Sequence, residues 1–246
     1  MSIQKKRIDL MVVEKGFAQS RQRAQALIMA GKIFVNNQLV DKPGFFVSGT
    51  DTVFLKQNDI PYVGRGGLKL EKALKVYDLN IDDYICLDVG ASTGGFTDCL
   101  LQHGAKKIYA IDVGYGQIAW KLRQDKRVVT IERTNIRHMD PGVIPSPVDL
   151  VTIDVSFISL KIVVPSVLKF MKKGAFIIAL IKPQFEVGKG KVGKGGIVRN
   201  PALYDEVIAD LTCFFSKTGL KCSPVISSPI LGSKGNKEFI VFMIYS

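Results

Sequence analysis

The chain has 246 residues, of which 47% are hydrophobic and 23% charged, so a largely disordered chain is excluded and one or two globular domains are expected. The formal net charge is +12, and residues 1–75 (net +7) and 182–199 (net +4) carry most of it, which favours a phosphate-rich partner over lysines that only aid solubility. The longest apolar run, 175–181, is too short for a membrane span and no signal peptide is evident, so we expect a cytoplasmic protein without membrane contact.

The four cysteines show no C-x-x-C spacing, and the chain has two histidines. That pattern argues against a zinc site and against a disulfide framework. We therefore expect buried, reduced thiols and no metal.

The first 60 residues predict a small α+β domain. Four apolar residues, Ile8, Leu10, Met11 and Val12, precede Gly16, and Ser20 is placed to cap a second helix that stops at Gly31. Alternating apolar residues from 33 to 55, interrupted by a turn at Asn36 and Asn37, predict short strands.

This domain resembles the S4 RNA-binding module. The stretch RIDLMVVEKGFAQSRQRAQALIMAGKIFVNN follows that family's R-x-D opening, SR-x-x-A and AG-x-[IV]-x-VN, with Asn37 where the family usually has Gly. Asn tolerates a positive φ, so the turn is expected to survive. Basic side chains near a helix start suit phosphate contact, so we predict RNA contacts by Arg7, Arg21 and Arg23; the alternative is a small domain without an RNA role.

Residues 61–67, PYVGRGG, predict a linker that carries a further RNA contact, Arg65, because Pro and Gly interrupt the periodicity. The domain from 68 to 246 begins with a helix and then alternates strands and helices. Such alternation predicts an α/β domain with a doubly wound, seven-stranded, Rossmann-like sheet of the methyltransferase type. Strands are expected near 85–89, 107–111, 128–131, 149–154, 175–181, 221–227 and 238–244, and helices near 95–103, 116–124, 160–172 and 201–218.

A glycine-rich turn, DVGASTGGFT at 88–97, joins the first strand of this sheet to the next helix. Doubly wound sheets bind cofactors at such a turn, but the spacing G-x-x-x-G-G is not the dinucleotide pattern and no Walker lysine follows. An acid at the end of the second strand can accept ribose hydroxyls. We therefore predict bound S-adenosylmethionine, the alternative being that the acids only cap strands. The predicted cofactor-binding residues are Asp88, Gly90, Ala91, Ser92, Gly94, Gly95, Phe96, Thr97, Asp112, Val113, Glu132 and Asn135.

Charged residues also close or open three later strands, at Asp154, Lys182 and Glu238. Because a charge at the end of an apolar strand is costly to bury without a partner, we expect one shared site. The residues DVSF at 154–157 differ from the [DN]-P-P-[FYW] pattern of amine methylation, and no cysteine follows a proline as in C5 methylation. Oxygen methylation is the remaining chemistry, with Lys182 as the base and Lys69 as a neighbouring positive charge. Phe157 either packs in the core or stacks on a flipped base.

The catalytic half resembles the FtsJ-type ribose 2′-O-methyltransferases, whose Lys-Asp-Lys-Glu tetrad corresponds here to Lys69, Asp154, Lys182 and Glu238. The whole chain resembles the TlyA (hemolysin A) family through YVGRGGLKLEKAL, LDVGASTGGFTDCLL, AIDVGYGQIAWKLR, DVSFISL, KPQFEVGKG and GSKGNKEF. This resemblance implies methylation of cytidine 2′-hydroxyls in ribosomal RNA, with ribosomal RNA or a ribosomal subunit as partner. Gly64 departs from the commoner Ser. A non-catalytic ribosome-binding factor is the alternative, and hydropathy disfavours a membrane-active cytolysin.

The segment KPQFEVGKGKVGKGGIVR, 182–199, combines five glycines with five basic residues. It predicts a mobile cationic loop that closes over RNA, or else a plain flexible insertion. The RNA contacts predicted here are Lys189, Lys191, Lys194 and Arg199. The sequence leaves the oligomeric state open.

Overall fold

The computed structural model describes residues 5–36, 38–55, 60–188, 190–193 and 195–246. The chain forms two compact units, residues 1–60 and residues 61–246. The turn residue Asn37 and the predicted RNA contacts Lys189 and Lys194 lie outside the described residues.

The first unit packs two helices against short strands. Ser20 caps the second helix as predicted, because its hydroxyl accepts a hydrogen bond from the Arg23 backbone N–H. β2 pairs with β3 and β5 in one antiparallel sheet, and β1 pairs with β4 in another. These two-residue strands, β1 and β4, are too short for a periodic pattern and were not predicted. The elements are β1 (Lys6–Arg7), α1 (Ile8–Glu14), α2 (Arg21–Met29), β2 (Ile33–Val35), β3 (Gln38–Val40), β4 (Phe46–Val47) and β5 (Val53–Leu55).

The second unit is an α/β domain built on one mixed sheet. Its strands are β6 (Ile85–Val89), β7 (Lys107–Ile111), β8 (Val128–Ile131), β9 (Val148–Ile153), β10 (Met171–Ile181), β11 (Leu220–Cys222), β12 (Ile226–Ser227) and β13 (Phe239–Tyr245). Its helices are α3 (Gly66–Val76), α4 (Gly95–Gln102), α5 (Trp120–Arg123), α6 (Leu160–Val167), α7 (Pro183–Glu186) and α8 (Pro201–Lys217).

The sheet order is β11-β13-β10-β9-β6-β7-β8, with β12 also paired to β13. Strands β6 to β10 are parallel, whereas β11, β12 and β13 pair antiparallel. A doubly wound α/β sheet was therefore predicted correctly. The carboxyl ends of its parallel strands meet at one edge, where ligands bind in such folds.

Several predicted boundaries differ from the structure. The predicted strand 221–227 is two strands, and the predicted helix 116–124 is reduced to α5 because Gly116, at φ +71°, precedes it in a loop. The predicted helix 160–172 ends at Val167, since β10 begins at Met171. The predicted linker 61–67 is shorter, because α3 starts at Gly66 and these residues belong to the second unit.

Alternate apolar residues of the central strands, which lie on one face of the sheet, pack with residues of α6 and α8 in a large apolar core of the second unit. All four cysteines are free; Cys86 and Cys99 are buried, but Cys213 is exposed, which corrects the expectation that every thiol is buried. Within the described residues, no helix has the length and apolar character needed to span a bilayer.

Candidate active site

Two cavities adjoin at the carboxyl edge of the sheet. The first, of about 320 Å³, is lined by charged residues and by the glycine-rich turn, and we call it the tetrad cavity. The second, of about 550 Å³, lies over the ends of β6 and β7 and is called the strand-end cavity. Both cavities are lined by Gly90, Ser92, Asp154 and Ser156, so they are two parts of one crevice.

The structure brings together the four charged residues singled out from the sequence. Lys69 projects from α3, Asp154 follows β9, Lys182 follows β10 and Glu238 precedes β13. Lys69 Nζ lies 2.6 Å from Glu238 Oε2 and 3.8 Å from Asp154 Oδ2. On the other side, Lys182 Nζ lies 2.5 Å from Asp154 Oδ1 and 3.1 Å from Ser156 Oγ. The contacts run from Glu238 to Lys182 without a break, and we call these four residues the tetrad.

Burial of the tetrad is tolerated because its charges balance. The lysine side chains of Lys69 and Lys182 are 10% and 9% exposed, and the tetrad contains two cations and two anions. Removing one member of a buried ion pair leaves an uncompensated charge, so each position constrains the others. Gly232, which also lines the tetrad cavity, packs closely on Glu238, since a Cβ at Gly232 would overlap the Glu238 carboxylate.

Close backbone packing holds the glycine-rich turn against the tetrad. Gly90 has φ +84°, and a Cβ there would come within 2.5 Å of the Asp154 backbone oxygen. A side chain at this position would therefore displace the strand end that carries Asp154. The turn is joined to the next strand by Asp112, whose carboxylate accepts the backbone N–H of Ser92 at 2.8 Å and that of Gly114 at 2.6 Å.

The predicted cofactor residues divide into three groups. Those that line the strand-end cavity are Gly90, Ser92, Asp112, Val113 and Asn135. Those that line the tetrad cavity are Gly90, Ala91, Ser92, Gly95 and Phe96. The third group, which lines neither cavity, is Asp88, Gly94, Thr97 and Glu132.

The third group supports the glycine-rich turn through contacts outside the two cavities. The carboxylate of Asp88 is fully buried and accepts the hydroxyls of Thr97 at 2.6 Å and Thr152 at 2.9 Å. Burial without a cation raises the pKa of Asp88 to about 6. Gly94, at φ +94°, packs on Leu122. These contacts hold Asp88, Gly94 and Thr97 outside the lining of both cavities, and direct cofactor contact by them stays a prediction.

Glu132 is likewise engaged elsewhere. It forms an ion pair with Arg123 and accepts the Gly116 backbone N–H at 2.8 Å. The Arg123 hydrogen bond lowers the pKa of Glu132 below its ordinary value. Glu132 therefore stabilises the loop after β7 and does not line a cavity.

The predicted RNA contacts of the first unit include a buried ionic cluster. Asp9, fully buried, accepts Arg7 Nε at 3.1 Å, Arg21 Nε at 3.0 Å and Gln25 Nε2 at 3.0 Å. The Arg7 hydrogen bond holds the pKa of Asp9 far below its ordinary value. Arg7 and Arg21 therefore stabilise the fold through Asp9, in addition to carrying positive charge at the surface. Arg23 is exposed.

The predicted RNA contacts of the second unit differ in their surroundings. Arg65 lines the tetrad cavity and is exposed. Lys191 is 2.5 Å from Glu206 of α8, and Arg199 is exposed.

Some cavity residues were missed from the sequence. Ser156 contacts Lys182, and Gln117 lines the strand-end cavity. Ser156 could have been predicted from the sequence, because it lies two residues after Asp154 at a strand end. Phe157 is 90% exposed with φ +63°, and its ring centroid is 4.9 Å from that of Phe185, so core packing was the wrong alternative for it.

Comparisons with known proteins agree with this architecture. Residues 62–245 match the FtsJ-like methyltransferase family and residues 6–53 match the S4 domain. The 16S/23S rRNA (cytidine-2′-O)-methyltransferase TlyA of Mycobacterium tuberculosis is 43% identical over 96% of this chain and 89% of that protein. Hemolysin A of Brachyspira hyodysenteriae is 43% identical over 97% of this chain and 99% of that protein.

A solved structure from Streptococcus thermophilus that carries the hemolysin name covers 100% of this chain and 90% of its own, with 41% identity and a TM-score of 0.78. The matched family model spans most of the chain, and the relatives match over nearly all of it. The chain belongs to the TlyA (hemolysin A) family, an FtsJ-like methyltransferase with an S4 domain before it.

Proposed function

We propose that this chain transfers a methyl group from S-adenosylmethionine to the ribose 2′-hydroxyl of a cytidine in ribosomal RNA. The observation that carries the proposal is the convergence of the tetrad on a cavity that adjoins the strand-end cavity. The choice of a cytidine ribose is supported by the name of the Mycobacterium tuberculosis relative. Because the proposed substrate is ribosomal RNA, the proposed site of the reaction is the cytoplasm.

The strand-end cavity fits a nucleoside cofactor. Its volume of about 550 Å³ falls within the range of about 300–1,000 Å³ that is usual for ligand sites. Asp112 would accept the ribose hydroxyls, and Ile111 and Ile136 offer apolar surface for an adenine. The sulfonium of the bound cofactor would supply an activated methyl group at the boundary with the tetrad cavity.

Within the tetrad, Lys182 is the proposed general base. Its Nζ would take the proton from the ribose 2′-hydroxyl as the oxygen forms its bond to the methyl carbon. Asp154 orients this amine, since Oδ1 faces Lys182 while Oδ2 faces Lys69. Glu238 holds Lys69 in turn, so that its positive charge stays at the cavity. Positioning of the hydroxyl and amine supplies much of the rate, since an in-line displacement depends on alignment.

Residues around the cavities offer contacts for the rest of the nucleotide. Arg65 at the tetrad cavity is placed to bind a phosphate. Phe157 presents an exposed ring beside the strand-end cavity, where a base turned out of its stack could lie against it. Two further exposed cations, Arg23 of the first unit and Arg199 of the second, are proposed contacts for RNA phosphates.

Nucleoside mass spectrometry tests the proposal. Ribosomal subunits that lack the modification are incubated with the full chain and S-adenosylmethionine, and we expect 2′-O-methylcytidine in the digest. Lys182→Ala should abolish its formation while RNA affinity stays unchanged. Methylation on a base, or product formed at the wild-type rate by Lys182→Ala, would contradict the assignment; cofactor binding without any methyl transfer would favour a non-catalytic binding factor.

A further inference from the structure

A buried amide joins the end of the cationic loop to the turn before Glu238. Asn236 is 3% exposed, although its position three residues before β13 would allow it to face solvent. Its Oδ1 accepts the Val198 backbone N–H at 3.1 Å, and its Nδ2 donates to the Gly196 carbonyl at 3.0 Å. One side chain therefore satisfies two backbone groups of a segment about 40 residues away.

The loop end that Asn236 holds has a defined backbone. Gly193 N–H donates to the Ile197 carbonyl at 3.1 Å, and the buried Tyr204 hydroxyl donates to the Val198 carbonyl at 2.6 Å. Val198 itself is buried. The described part of this loop end is thus anchored to Tyr204 of α8 and to Asn236.

On its other side, Asn236 closes the turn that backs the catalytic carboxylate. Its backbone carbonyl accepts the Gly232 N–H at 2.9 Å, and Gly235 N–H donates to the Gly232 carbonyl at 3.2 Å. Gly232 packs so tightly on Glu238 that a Cβ would overlap the carboxylate. A shift of this turn must therefore move Glu238, and with it the 2.6 Å contact to Lys69.

We propose that Asn236 is a positioning residue for the methyl transfer reaction: it locks the 232–236 turn onto the 196–198 backbone and so fixes Glu238 against Lys69. This inference rests on the proposed function, because it assigns Asn236 a part in the same site. Asn236 lines neither cavity, so it acts through Gly232 and Glu238 and not by touching a substrate.

The consequence of losing the amide follows from its burial. Asn236→Ala leaves the Val198 N–H and the Gly196 carbonyl without their partner, which favours a shift of the loop end and of the turn. Misplacement of a catalytic group by about 1 Å can lower a rate about 100-fold. We therefore expect Asn236→Ala to lower the single-turnover rate of methyl transfer about 10- to 100-fold.

The test compares four forms of the full chain in single-turnover methyl transfer to ribosomal subunits: wild type, Asn236→Ala, Gly232→Ala and the double variant. Because Gly232→Ala displaces Glu238 directly, it should reproduce the loss of rate, and the double variant should be no slower than the slower single variant. Cofactor affinity should stay within about twofold in all forms, since neither residue lines the strand-end cavity.

Two further measurements separate positioning from general destabilisation. Asn200→Ala removes the exposed cap of α8, a hydrogen bond to the Ala202 N–H, and should leave the rate unchanged. Trypsin should cleave after Arg199 faster in Asn236→Ala than in Gly232→Ala, because only the former frees the loop end. A wild-type rate in Asn236→Ala, or losses that multiply in the double variant, would overturn the inference alone; an inactive wild type would overturn the proposed function itself.

Discussion

The two units pair carboxylates with different cations, and the partner decides what each carboxylate can do. In the first unit, Asp9 is buried against Arg7 and Arg21, whose guanidinium groups stay charged at any accessible pH. In the second unit, Asp154 is shared by two lysines, and lysine, unlike arginine, is a residue type that serves as a general base in enzymes. The arginine cluster is therefore suited to stabilising the first unit, whereas the lysine cluster is suited to proton transfer.

Asp88 shows a third arrangement, since it is buried with hydroxyl partners and without a cation. Two threonine hydroxyls stabilise its charge less than burial destabilises it, and its pKa rises to about 6. The same residue type thus has a lowered pKa in the first unit and a raised one in the second. A buried carboxylate is consequently not a marker of catalysis until its neighbours are known.

The largest effect is expected when Lys182 of the tetrad is replaced by arginine. Lys182→Arg keeps a positive charge beside Asp154, but a guanidinium cannot serve as a base. We expect the rate of methyl transfer to fall about 100- to 10,000-fold, the usual contribution of a positioned base. Single-turnover kinetics at saturating cofactor measure this loss. Lys172→Arg, at an exposed ion pair with Asp149, is the matched control and should retain the full rate.

The next effect concerns Asp88 and depends on pH. Its folded pKa of about 6 exceeds the ordinary 3.8, so the folded chain holds the proton more tightly than the unfolded chain does. The resulting stabilisation is present below about pH 4 and is lost as the pH rises through 6. Asp88→Asn should remove this dependence and raise the free energy of unfolding at pH 7, relative to wild type at that pH, by up to about 3 kcal/mol.

Denaturant unfolding at several pH values between 4 and 7 measures the Asp88 prediction. The difference between variant and wild type should grow with pH across this window. A difference that stays constant with pH would show that Asp88 keeps an ordinary pKa in the folded chain.

Removal of Asp9 should have the opposite pH dependence. Because the pKa of Asp9 is lowered, its contribution to stability is present above about pH 4 and is lost as the pH falls below that value. Asp9→Ala should destabilise the first unit by about 2 kcal/mol at pH 7, a modest value because the arginines remain partly solvated. Hydrogen exchange of residues 8–55 in the full chain should accelerate, while amides of β6 to β10 keep their protection. Equal acceleration in both units would contradict this assignment.

The smallest effect is expected on cofactor affinity. It compares Asp112, which lines the strand-end cavity, with Glu132, which lines neither cavity. Asp112→Ala should weaken S-adenosylmethionine binding about 10-fold, through loss of a charged hydrogen-bond acceptor. Glu132→Gln retains a hydrogen-bonding partner for the loop and should leave the affinity unchanged. Isothermal titration of both variants measures the difference. Similar losses in both would mean that Glu132 does contact the cofactor.

Much of this architecture follows from residue pattern. The parallel strands alternate with helices at regular spacing, and a shared site of Asp154, Lys182 and Glu238 could be predicted because a charge that ends an apolar strand needs a partner. The inclusion of Lys69, which lies on α3, followed from the resemblance to the FtsJ-type family. The orientation of strand-end acids could not be predicted. Asp88 and Asp112 both lie at strand carboxyl ends, yet one faces the supporting layer and the other faces the cavity.

Long-range contacts explain the other differences. The hydrogen bonds of Arg21 to Asp9, and of Asn236 to Val198, join residues that no periodic pattern relates. Phe157 is apolar and follows a buried strand, so sequence favoured the core for it. Its positive φ, which turns the ring outward, is determined by the surrounding turn.

A double-mutant cycle on Lys182 and Glu238 tests most directly whether the tetrad is one catalytic unit. These residues lie at opposite ends of the chain of contacts, joined through Asp154 and Lys69. Rates of 2′-O-methylcytidine formation are measured for Lys182→Ala, Glu238→Ala and the double variant. A double variant no slower than Lys182→Ala is the predicted result, because residues that act as a unit are not additive. Losses that multiply would show that the two residues act independently, and would contradict a shared site.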